Sequence, residues 1–563
     1  MSVKSFTKRV LVRTGLWPVA NKIAGRLGRG LGPGSASKPV IRIDPVPPPQ
    51  DFPAARYIFA VGAIPRRYAG RTASVLTKTK LFSELGVPCE ILTMNYSAEL
   101  DDVTAEIRAR GALGEHVKIV NLHESFSGVA AGETAEPISH PVEEPGMDFI
   151  KDKEASVYRY FENGVYRLYK RFDYAGRLLI RDWFNENRGR TQRDEFGLDG
   201  RIRRVTYYDL HYNKPRQEVY FRPDGTAYMN KWLVVNPTDL TTDVERITLF
   251  DEQERPTKVV HSNVQLIQEY LDRMVGDDRV FLSVESRRTD AETLGYHRPN
   301  VKQIYVLHNP HTAPPFTNLR KVRPSYLPLL ERRAEVGAIV FLTNAQRADA
   351  EALYGKTRNF RVIPHPVSVP PLDLTIKRDP NLVVMLARLD QQKQLDAAIR
   401  AFELVVRRIP QARLEIYGRG PDETALRALI SSLGLEASVK LAGYTTNPGE
   451  VYQRASVSLL TSKFEGFGLV LLESLSYGCP VVSYDIKYGP SDIIGDEVTG
   501  FLVRPGDRHG LADQVIRLLS DAELRDRMSA AARDSVSAFS PAAFTARWAA
   551  LFNDLDAKGW GWG

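Results

Sequence analysis

Two glutamates and a glycine-rich turn lie close together late in the sequence. Glu465 directly precedes Gly466-Phe467-Gly468, and Glu473 follows within the helix that is predicted next. Glycine lets a backbone approach a ligand closely, and the free N–H groups at the start of a helix favour phosphate. A carboxylate within that helix can accept hydrogen bonds from sugar hydroxyls. Because an apolar strand is predicted immediately afterwards, the stretch favours a nucleotide site in an α/β crevice.

Two cations precede this stretch in the same half of the chain. Arg388 and Lys393 follow a strand that is predicted at 382–387. The carboxyl ends of parallel strands form the sheet edge at which ligands bind, so both cations are expected to face the crevice. If the ligand carries phosphate, fixed cations and helix N–H groups stabilise its negative charge. The spacing alone also fits two solvated surface charges, and the downstream glutamates favour the ligand interpretation.

The glutamate pair resembles the E-x7-E signature of the retaining glycosyltransferases of family four. The resemblance extends to the GCPVV step after the helix and to Gly500-Phe501-Leu502-Val503, and it covers residues 55–550. It implies the GT-B architecture, an α/β fold of two facing Rossmann-like domains, with retention of the anomeric configuration. An antiparallel β-meander inserted in the first domain makes the chain similar, within this family, to the wall teichoic acid glycosyltransferases.

The resemblance also implies roles for individual residues. The catalytic residues that it implies are Glu465, Arg388, Lys393 and His308. The donor-binding residues that it implies are Glu473, Gly466, Phe467, Gly468, Leu469, Gly418, Arg419 and Tyr444. Gly70 lies in a loop that is expected to face donor and acceptor. An isolated histidine is more often structural, but His308 ends a strand in an HNPH element, which favours the functional interpretation.

No cofactor and no metal are expected. A diphosphate leaving group is stable as an anion and needs no general acid, unlike the leaving group of a glycosidase. The sequence also has no acidic pair where the two cations lie. A UDP-sugar is the expected co-substrate, with front-face attack in which the departing phosphate takes the acceptor proton.

Changes of pattern divide the chain into four predicted segments. They are a basic Pro/Gly-rich tail (1–50), an N-terminal Rossmann-like acceptor domain (51–149 and 262–365), an inserted β-domain (150–261) and a C-terminal nucleotide-sugar-binding Rossmann-like domain (366–555). The inserted segment predicts hairpins that turn at Gly176, Gly200 and Gly225. Within the first domain we predict a loop at 68–72 before a helix from Ala73. One continuous helix is predicted over 324–335, and further helices are predicted over 344–354 and 395–408.

Positive charge is concentrated at the N-terminus. The chain has a net charge of +8, yet residues 1–43 alone hold nine Lys or Arg and no Asp or Glu. Val3, Phe6 and Val10 favour a short amphipathic helix on an anionic membrane surface or a polyanionic acceptor, and a disordered tail is the alternative. No nucleic-acid partner is expected, because the body has no groove-reading motif. Two isolated cysteines, and the absence of a secretory signal or a long apolar run, predict a cytoplasmic protein, with the tail at the inner face of the membrane.

The implied activity is transfer of a hexose or N-acetylhexosamine from a UDP-sugar to a polymeric acceptor, a teichoic-acid-like poly(polyol phosphate). Three alternatives stay open: a protein O-glycosyltransferase of serine-rich adhesins, a non-catalytic acceptor-binding partner of such an enzyme, and a retaining transferase with a lipid-linked or small acceptor. The presence of the two cations and the two glutamates disfavours the non-catalytic partner. The aromatic residues of the inserted segment pack a small core or, as a set, form a homo-oligomer contact or an acceptor platform.

Overall fold

The computed structural model describes residues 44–68, 70–128, 136–152 and 156–561. The cationic part of the predicted tail, residues 1–43, lies outside these ranges, so both hypotheses for it remain expectations. Among the described helices, none combines the length and the hydrophobicity needed to cross a membrane.

The described chain begins with alternating strands and helices. They are β1 (Arg56–Val61), α1 (Arg71–Glu84), β2 (Cys89–Thr93), α2 (Leu100–Ala109), β3 (Val117–Asn121) and α3 (Leu122–Ser127). β1 is buried over nearly its whole length, and it pairs in parallel with β2, which pairs in parallel with β3. A parallel strand buried on both faces is an apolar run without alternation, which is the pattern seen in this sequence.

Ten antiparallel strands follow. They are β4 (Asp148–Lys151), β5 (Val157–Glu162), β6 (Val165–Phe172), β7 (Leu178–Phe184), β8 (Arg190–Phe196), β9 (Ile202–Asp209), β10 (Lys214–Phe221), β11 (Ala227–Val235), β12 (Thr242–Phe250) and β13 (Pro256–Val260). Each strand lies beside its sequence neighbours in one sheet. Gly176, Gly200 and Gly225 lie in three of the turns with φ values of 81°, 75° and 91°, which favour glycine. The predicted hairpin turns are therefore confirmed.

Parallel strands return after this sheet. The elements are α4 (Asn263–Val275), β14 (Val280–Val284), α5 (Asp290–Thr293), β15 (Val301–Val306), α6 (Leu327–Glu331), β16 (Ala338–Phe341), α7 (Asn344–Tyr354) and β17 (Phe360–Val362), with 3-10 turns at Arg287–Thr289, Pro324–Tyr326 and Arg333–Glu335. These strands join the first three in a seven-stranded parallel sheet of order β17-β16-β15-β14-β1-β2-β3. The antiparallel sheet is thus inserted between β3 and β14 of a single α/β sheet.

A second parallel sheet is formed by the rest of the chain. Its elements are β18 (Leu382–Leu386), α8 (Leu395–Arg408), β19 (Arg413–Tyr417), α9 (Glu423–Ser432), β20 (Val439–Gly443), α10 (Pro448–Arg454), β21 (Val457–Leu460), α11 (Leu469–Ser476), β22 (Val481–Tyr484), α12 (Pro490–Ile493), β23 (Gly500–Val503), α13 (Arg508–Ser520), α14 (Ala522–Ser535), a 3-10 turn (Val536–Phe539) and α15 (Pro541–Asp556). The strand order is β20-β19-β18-β21-β22-β23. Two doubly wound parallel sheets therefore flank the cleft in which the predicted residues lie.

The last helix, α15, packs against the first sheet. The ring centroid of Phe552 lies 4.9 Å from that of Tyr57 in β1 and 4.8 Å from that of Phe281 in β14. The ring of Trp548 lies 6.2 Å from that of Phe82 in α1. Because all five rings are buried, α15 anchors the end of the chain in the core of the first domain.

Two predicted boundaries in the first domain are wrong. Arg71 and Thr72 form the first turn of α1 instead of the end of a loop, because Gly70, with a φ of 52°, already turns the chain into the helix. The helix predicted over 324–335 is divided into a 3-10 turn, the short α6 and a second 3-10 turn. Pro328 prevents a continuous helix, because proline fits only the first turn of an α-helix.

Candidate functional site

Three of the predicted residues follow strands at the points where the order of each parallel sheet reverses. In the first sheet this point lies between β1 and β14, and in the second between β18 and β21. Gly70 follows β1, Arg388 follows β18 and Glu465 follows β21. Such points open a crevice at the carboxyl ends of the strands, where α/β folds bind ligands.

The glycine-rich turn of the second domain touches the first domain. A Cβ atom on Gly466 would lie 2.0 Å from the carbonyl oxygen of His308. Only glycine allows this approach, because any side chain would separate the two backbones. Beside this contact the rings of Phe316 and Phe464 lie 4.4 Å apart. The GFG turn and the HNPH element therefore form facing walls of one cleft.

The turn ends at Gly468, whose φ of 90° leads into α11. No side chain caps the start of this helix, and its first turn has no acidic residue. Its N–H groups and the positive end of its dipole are therefore suited to a phosphate. Leu469, at the first helical position, is half-buried, whereas Phe467 is buried with its ring edge-on to that of His365 at 5.3 Å.

Lys393 and Glu465 meet across the point where the strand order of the second sheet reverses. The Nζ atom of Lys393 lies 2.7 Å from Oε1 of Glu465, and the hydroxyl of Ser462 donates to the same oxygen at 2.6 Å. Both hydrogen bonds use Oε1, so Oε2 has no hydrogen-bond partner among the described residues and can accept from a ligand. The pair combines a cation for a leaving phosphate with a carboxylate for a sugar hydroxyl.

Arg388 lies at the mouth of the same crevice. Its side chain is 66% exposed and pairs with Asp390 at 2.7 Å. It also donates to Gln392, 3.2 Å away, whose amide donates in turn to the carbonyl of Phe464 at 3.1 Å. A long and largely solvated guanidinium can swing towards an anionic ligand without breaking a buried contact.

Glu473 lies inside α11 and is half-buried. Burial raises the pKa of this carboxyl group. Its side chain makes no hydrogen bond to another of the described residues, so nothing in this part of the protein offsets the cost of burying its charge. Two neighbouring hydroxyls of a ribose would supply the missing donors.

The turn at Gly418 lies on the other side of the point where the strand order of the second sheet reverses. A Cβ atom on Gly418 would lie 1.8 Å from the carbonyl oxygen of Ala387, so the turn lies directly against the end of β18. The Arg419 guanidinium lies 5.9 Å from the centroid of the Tyr444 ring, and both side chains are exposed. They present a cation and an aromatic face, which suit a planar base.

A buried polar cluster forms the wall of the first domain. Nε2 of His308 lies 2.7 Å from Oε2 of Glu285, and Nζ of Lys78 lies 2.7 Å from Oε1 of Glu285. Burial by itself would raise the pKa of Glu285, but the Lys78 ammonium and the hydrogen bond from His308 outweigh it and hold that pKa well below the usual range. Burial lowers the pKa of His308, and Glu285 opposes this only in part. The cluster therefore holds a neutral histidine beside an ionised glutamate.

Gly70 lies at the same edge of the first sheet. It is exposed, and the residue after it, Arg71, donates from Nη1 to the hydroxyl of Ser286 at 3.1 Å. Ser286 directly follows Glu285, so the Gly70 turn borders the polar cluster. Among the described residues, no group of three or more His, Cys, Asp or Glu is arranged to hold a metal ion.

Two family models match the chain, one on each side of the cleft. The model for Glycosyl transferase 1 domain A matches residues 57–251, and the model for Glycosyl transferases group 1 matches residues 373–535. The chain belongs to the group 1 glycosyltransferases. The predicted family and the predicted class of enzyme are thereby confirmed.

Curated relatives resemble this glycosyltransferase over most of its length. A poly(glycerol-phosphate) alpha-glucosyltransferase of Bacillus subtilis is 28% identical over 524 residues, which cover 90% of this chain and 76% of the relative. A poly(ribitol-phosphate) alpha-N-acetylglucosaminyltransferase of Staphylococcus aureus is 24% identical over 493 residues, which cover 86% of this chain and 97% of the relative.

The crystal structure of TarM is similar to this glycosyltransferase in fold. The TM-score is 0.76 at 23% identity, and the match covers 89% of this chain and 99% of TarM. At that identity the likeness establishes the fold. The predicted GT-B architecture, with two Rossmann-like domains and an inserted antiparallel sheet, is confirmed.

The structure of the glycosyltransferase brings the predicted residues together around one cleft, while their individual roles stay predictions. Glu285, Lys78 and His365 were not predicted. Glu285 directly follows β14, and this strand-end position is the one sequence signal that points to it. Lys78 lies in the middle of α1 and His365 lies between two prolines, and neither position shows in sequence that it is buried beside His308.

Proposed function

We propose that this glycosyltransferase moves a hexose or an N-acetylhexosamine from a UDP-sugar to a poly(polyol phosphate), with retention of the anomeric configuration. A UDP donor is supported by similar GT-B structures that contain UDP, among them a TarM complex with UDP and alpha-GlcNAc-glycerol (TM-score 0.75). A polyol-phosphate acceptor is supported by the names of the Bacillus and Staphylococcus relatives. It is also supported by the charge at the rim of the first domain.

Three arginines at this rim carry the proposal for a polyanionic acceptor. The hydroxyl of Ser286 accepts from Arg71 at 3.1 Å and from the backbone N–H of Arg288 at 3.3 Å. The guanidinium of Arg323 lies 5.3 Å from the ring centroid of Phe464, at the contact of the two domains. Among the described residues, no carboxylate oxygen lies within 4.0 Å of the side-chain nitrogens of these three arginines.

Positive charge at the rim is therefore left without a close counterion. Burial and the positive charge of nearby Arg288 lower the pKa of Arg71, whose guanidinium nevertheless stays protonated at neutral pH. An acceptor phosphodiester would supply the missing negative charge and accept bidentate hydrogen bonds. An excess of positive charge at the rim also raises the rate of encounter with a polyanion.

The proposed roles follow from the chemistry of each side chain. Lys393, Arg388 and the N–H groups of α11 stabilise the diphosphate as its bond to the sugar breaks. Glu473 accepts hydrogen bonds from the ribose, and Glu465 accepts one from the sugar. The acceptor hydroxyl attacks from the face that the diphosphate leaves, and a phosphate oxygen takes its proton.

The test is a matrix of two donors and four acceptors with the purified chain. UDP-glucose and UDP-N-acetylglucosamine are each incubated with poly(glycerol phosphate), poly(ribitol phosphate), a serine-rich peptide and an uncharged polyol. We expect UDP release and a mass increase of one sugar per transfer with a polyol phosphate, and an α-linkage by NMR. Absence of release with every pair would overturn the proposal.

A double variant examines the acceptor site itself. Arg71→Ala with Arg288→Ala is expected to raise KM for the polymer about tenfold, the loss of roughly one charge-assisted hydrogen bond, with KM for the UDP-sugar unchanged. The matched control is Arg407→Ala, because Arg407 is an exposed arginine of α8 paired with Glu403. An unchanged KM for the polymer would remove this rim from the acceptor site.

A protein O-glycosyltransferase is the second candidate. The GtfA subunit of a peptide N-acetylglucosaminyltransferase from Streptococcus pneumoniae is 24% identical over 383 residues, covering 65% of this chain and 69% of the relative. Its coverage of this chain is lower than that of the polyol-phosphate relatives. Transfer to the serine-rich peptide alone would favour this candidate, and peptide binding without UDP release would favour a non-catalytic partner.

Three further predictions belong to this proposal. The ten-stranded sheet exposes Val234 of β11 beside Trp232, and the turn after β9 exposes Leu210, which supports a homo-oligomer contact that light scattering would detect. A cytoplasmic location fits a UDP-sugar donor and is tested by cell fractionation.

Association of residues 1–43 with the inner face of the membrane is tested by sedimentation with anionic and with neutral vesicles.

A further inference from the structure

Four separate segments contribute to the buried polar cluster that includes His308. Lys78 comes from α1, Glu285 follows β14, His308 follows β15 and His365 lies in the linker to the second domain. The side chains of Lys78 and Glu285 are only 3% and 0% exposed. Burying two charges is costly, so a cluster of this kind needs a reason beyond stability.

The hydrogen bonds of the cluster determine which nitrogen of His308 carries a proton. Glu285 is ionised and can only accept hydrogen bonds. Nε2 of His308, 2.7 Å from this carboxylate, must therefore carry the proton. Because the ring is neutral, Nδ1 is left with a lone pair and no proton.

Nδ1 of His308 is a buried acceptor without a protein partner. The side chain is 7% exposed, and Nδ1 makes no hydrogen bond within the described part of the chain. Buried polar atoms are almost always paired, so this one is expected to meet a ligand. The carbonyl group of the same residue touches Gly466, which places the ring at the wall of the donor cleft.

We propose that Glu285 is a positioning residue that holds His308 in the Nε2–H tautomer, so that Nδ1 accepts a hydrogen bond from a hydroxyl of the donor sugar. This inference rests on the proposed function and adds to it the residue that orients the histidine. Lys78 reduces the free-energy cost of burying Glu285, because its ammonium neutralises the buried carboxylate at 2.7 Å.

Two aromatic contacts hold the cluster in place. The Lys78 ammonium lies 4.2 Å from the centroid of the Trp548 ring, so that α15, at the far end of the chain, covers the cation. The ring of His365 stacks on that of His308 at 5.8 Å and 14°, and its Nδ1 lies 3.2 Å from the hydroxyl of Ser74. The first contact holds Lys78 in place, and the second restricts rotation of the His308 ring.

The first test separates positioning from stability. In Glu285→Gln the hydroxyl of Ser283, which donates to Oε1 at 2.7 Å, favours the amide oxygen on its own side and so directs the amide N–H to Nε2. This permits the opposite tautomer, in which Nδ1 carries the proton. Because this variant leaves Lys78 unpaired, a double variant, Glu285→Gln with Lys78→Met, is measured beside it. We expect kcat to fall about 10²-fold in both, as for loss of one positioned hydrogen bond in an active site, with KM for the UDP-sugar changed less than about twofold.

The matched control is Glu90→Gln, which removes another ion pair of the first sheet. Glu90 pairs with Arg56 at 2.7 Å at the opposite ends of the strands from the cleft. It is expected to leave kcat unchanged. If the wild-type chain is active and the double variant has the same kcat, the inference is overturned and the proposed function stays intact.

The second test reads the tautomer directly and does not need turnover. Nitrogen-15 NMR of the full chain labelled at its ten histidines, with His308→Asn to identify the resonances, reports which ring nitrogen is protonated. We expect protonated Nε2 and unprotonated Nδ1, and a shift of Nδ1 when a non-hydrolysable UDP-sugar binds. A proton on Nδ1 in the wild-type chain, or no shift on binding, would overturn the inference even if transfer is observed.

Discussion

Each wall of the cleft carries one lysine–glutamate pair, and the two pairs have the same geometry. Lys78–Glu285 in the first domain and Lys393–Glu465 in the second both have an N···O distance of 2.7 Å. They differ in burial. The side chains of the first pair are 3% and 0% exposed, and those of the second pair are 15% and 10% exposed.

This difference in burial separates a pair that holds a residue in place from a pair that can meet a ligand. Removing one member of a fully buried pair leaves an unpaired charge in a medium of low dielectric constant. A pair that is partly exposed at a cleft can exchange its partner for a phosphate or a hydroxyl, and water screens it better than a fully buried pair. The same chemistry therefore predicts a large loss of stability when the first pair is broken, and a loss of activity with a smaller loss of stability when the second pair is broken.

The largest expected effect is on stability. Glu285→Ala should lower the free energy of unfolding by about 3–5 kcal/mol, because Lys78 is left buried without the carboxylate that offsets its burial. Urea denaturation followed by intrinsic tryptophan fluorescence measures this loss. A loss below about 1 kcal/mol, the range of exposed ion pairs, would contradict the contrast between the two walls.

The next effect is on catalysis. Lys393→Ala should lower kcat by about 10²–10³-fold, because it removes a cation from the leaving diphosphate. Its melting temperature should fall less than that of Glu285→Ala, since this pair is less fully buried and Glu465 keeps its hydrogen bond from Ser462. Arg388→Ala is expected to act in the same direction. Normal turnover in both variants would refute their catalytic assignment.

The contact between the two walls can be changed without changing any charge. Gly466→Ala places a Cβ atom 2.0 Å from the His308 carbonyl and should destabilise the closed cleft by about 1–3 kcal/mol through overpacking. We expect a lower kcat and a larger radius of gyration by small-angle scattering. Gly62→Ala is the control, because a Cβ atom there meets nothing within 4 Å. Equal behaviour of the two variants would argue against a close contact at Gly466.

The smallest effect on stability should come from Glu473. Burial raises its pKa in the folded protein, so the folded chain binds this proton more tightly than the unfolded chain does. The wild-type protein is therefore destabilised relative to Glu473→Gln as the pH rises through the raised pKa. Below the ordinary carboxyl pKa the group is protonated in the folded and the unfolded chain, and this difference in stability disappears. Thermal melting at several pH values measures the difference, and a variant less stable than wild type at pH 8 would contradict it.

The same variant should bind UDP about tenfold more weakly, because it loses a charge-assisted hydrogen bond.

Local sequence signals predicted some elements to the residue. α7 (Asn344–Tyr354) and α8 (Leu395–Arg408) have the predicted bounds, and Thr343 caps α7 by accepting from the N–H of Gln346 at 3.1 Å. The prediction failed over 324–335, where Pro328 competes with a favourable helical pattern. Within the site, Glu465, Glu473 and the glycines between them could be predicted because they are neighbours in sequence and share one turn and one helix.

The order of strands and helices, the glycine turn and the cations after β18 were determined by the sequence itself, since each depends on residues that are close together in the chain. Only the tertiary structure decided that Lys78, Glu285 and His308 meet. Lys78 and Glu285 are separated by 207 positions in sequence. Burial decides whether such a pair holds a ring in place or awaits a ligand, because the cost of removing a charge from water depends on everything packed around it and not on the spacing of residues.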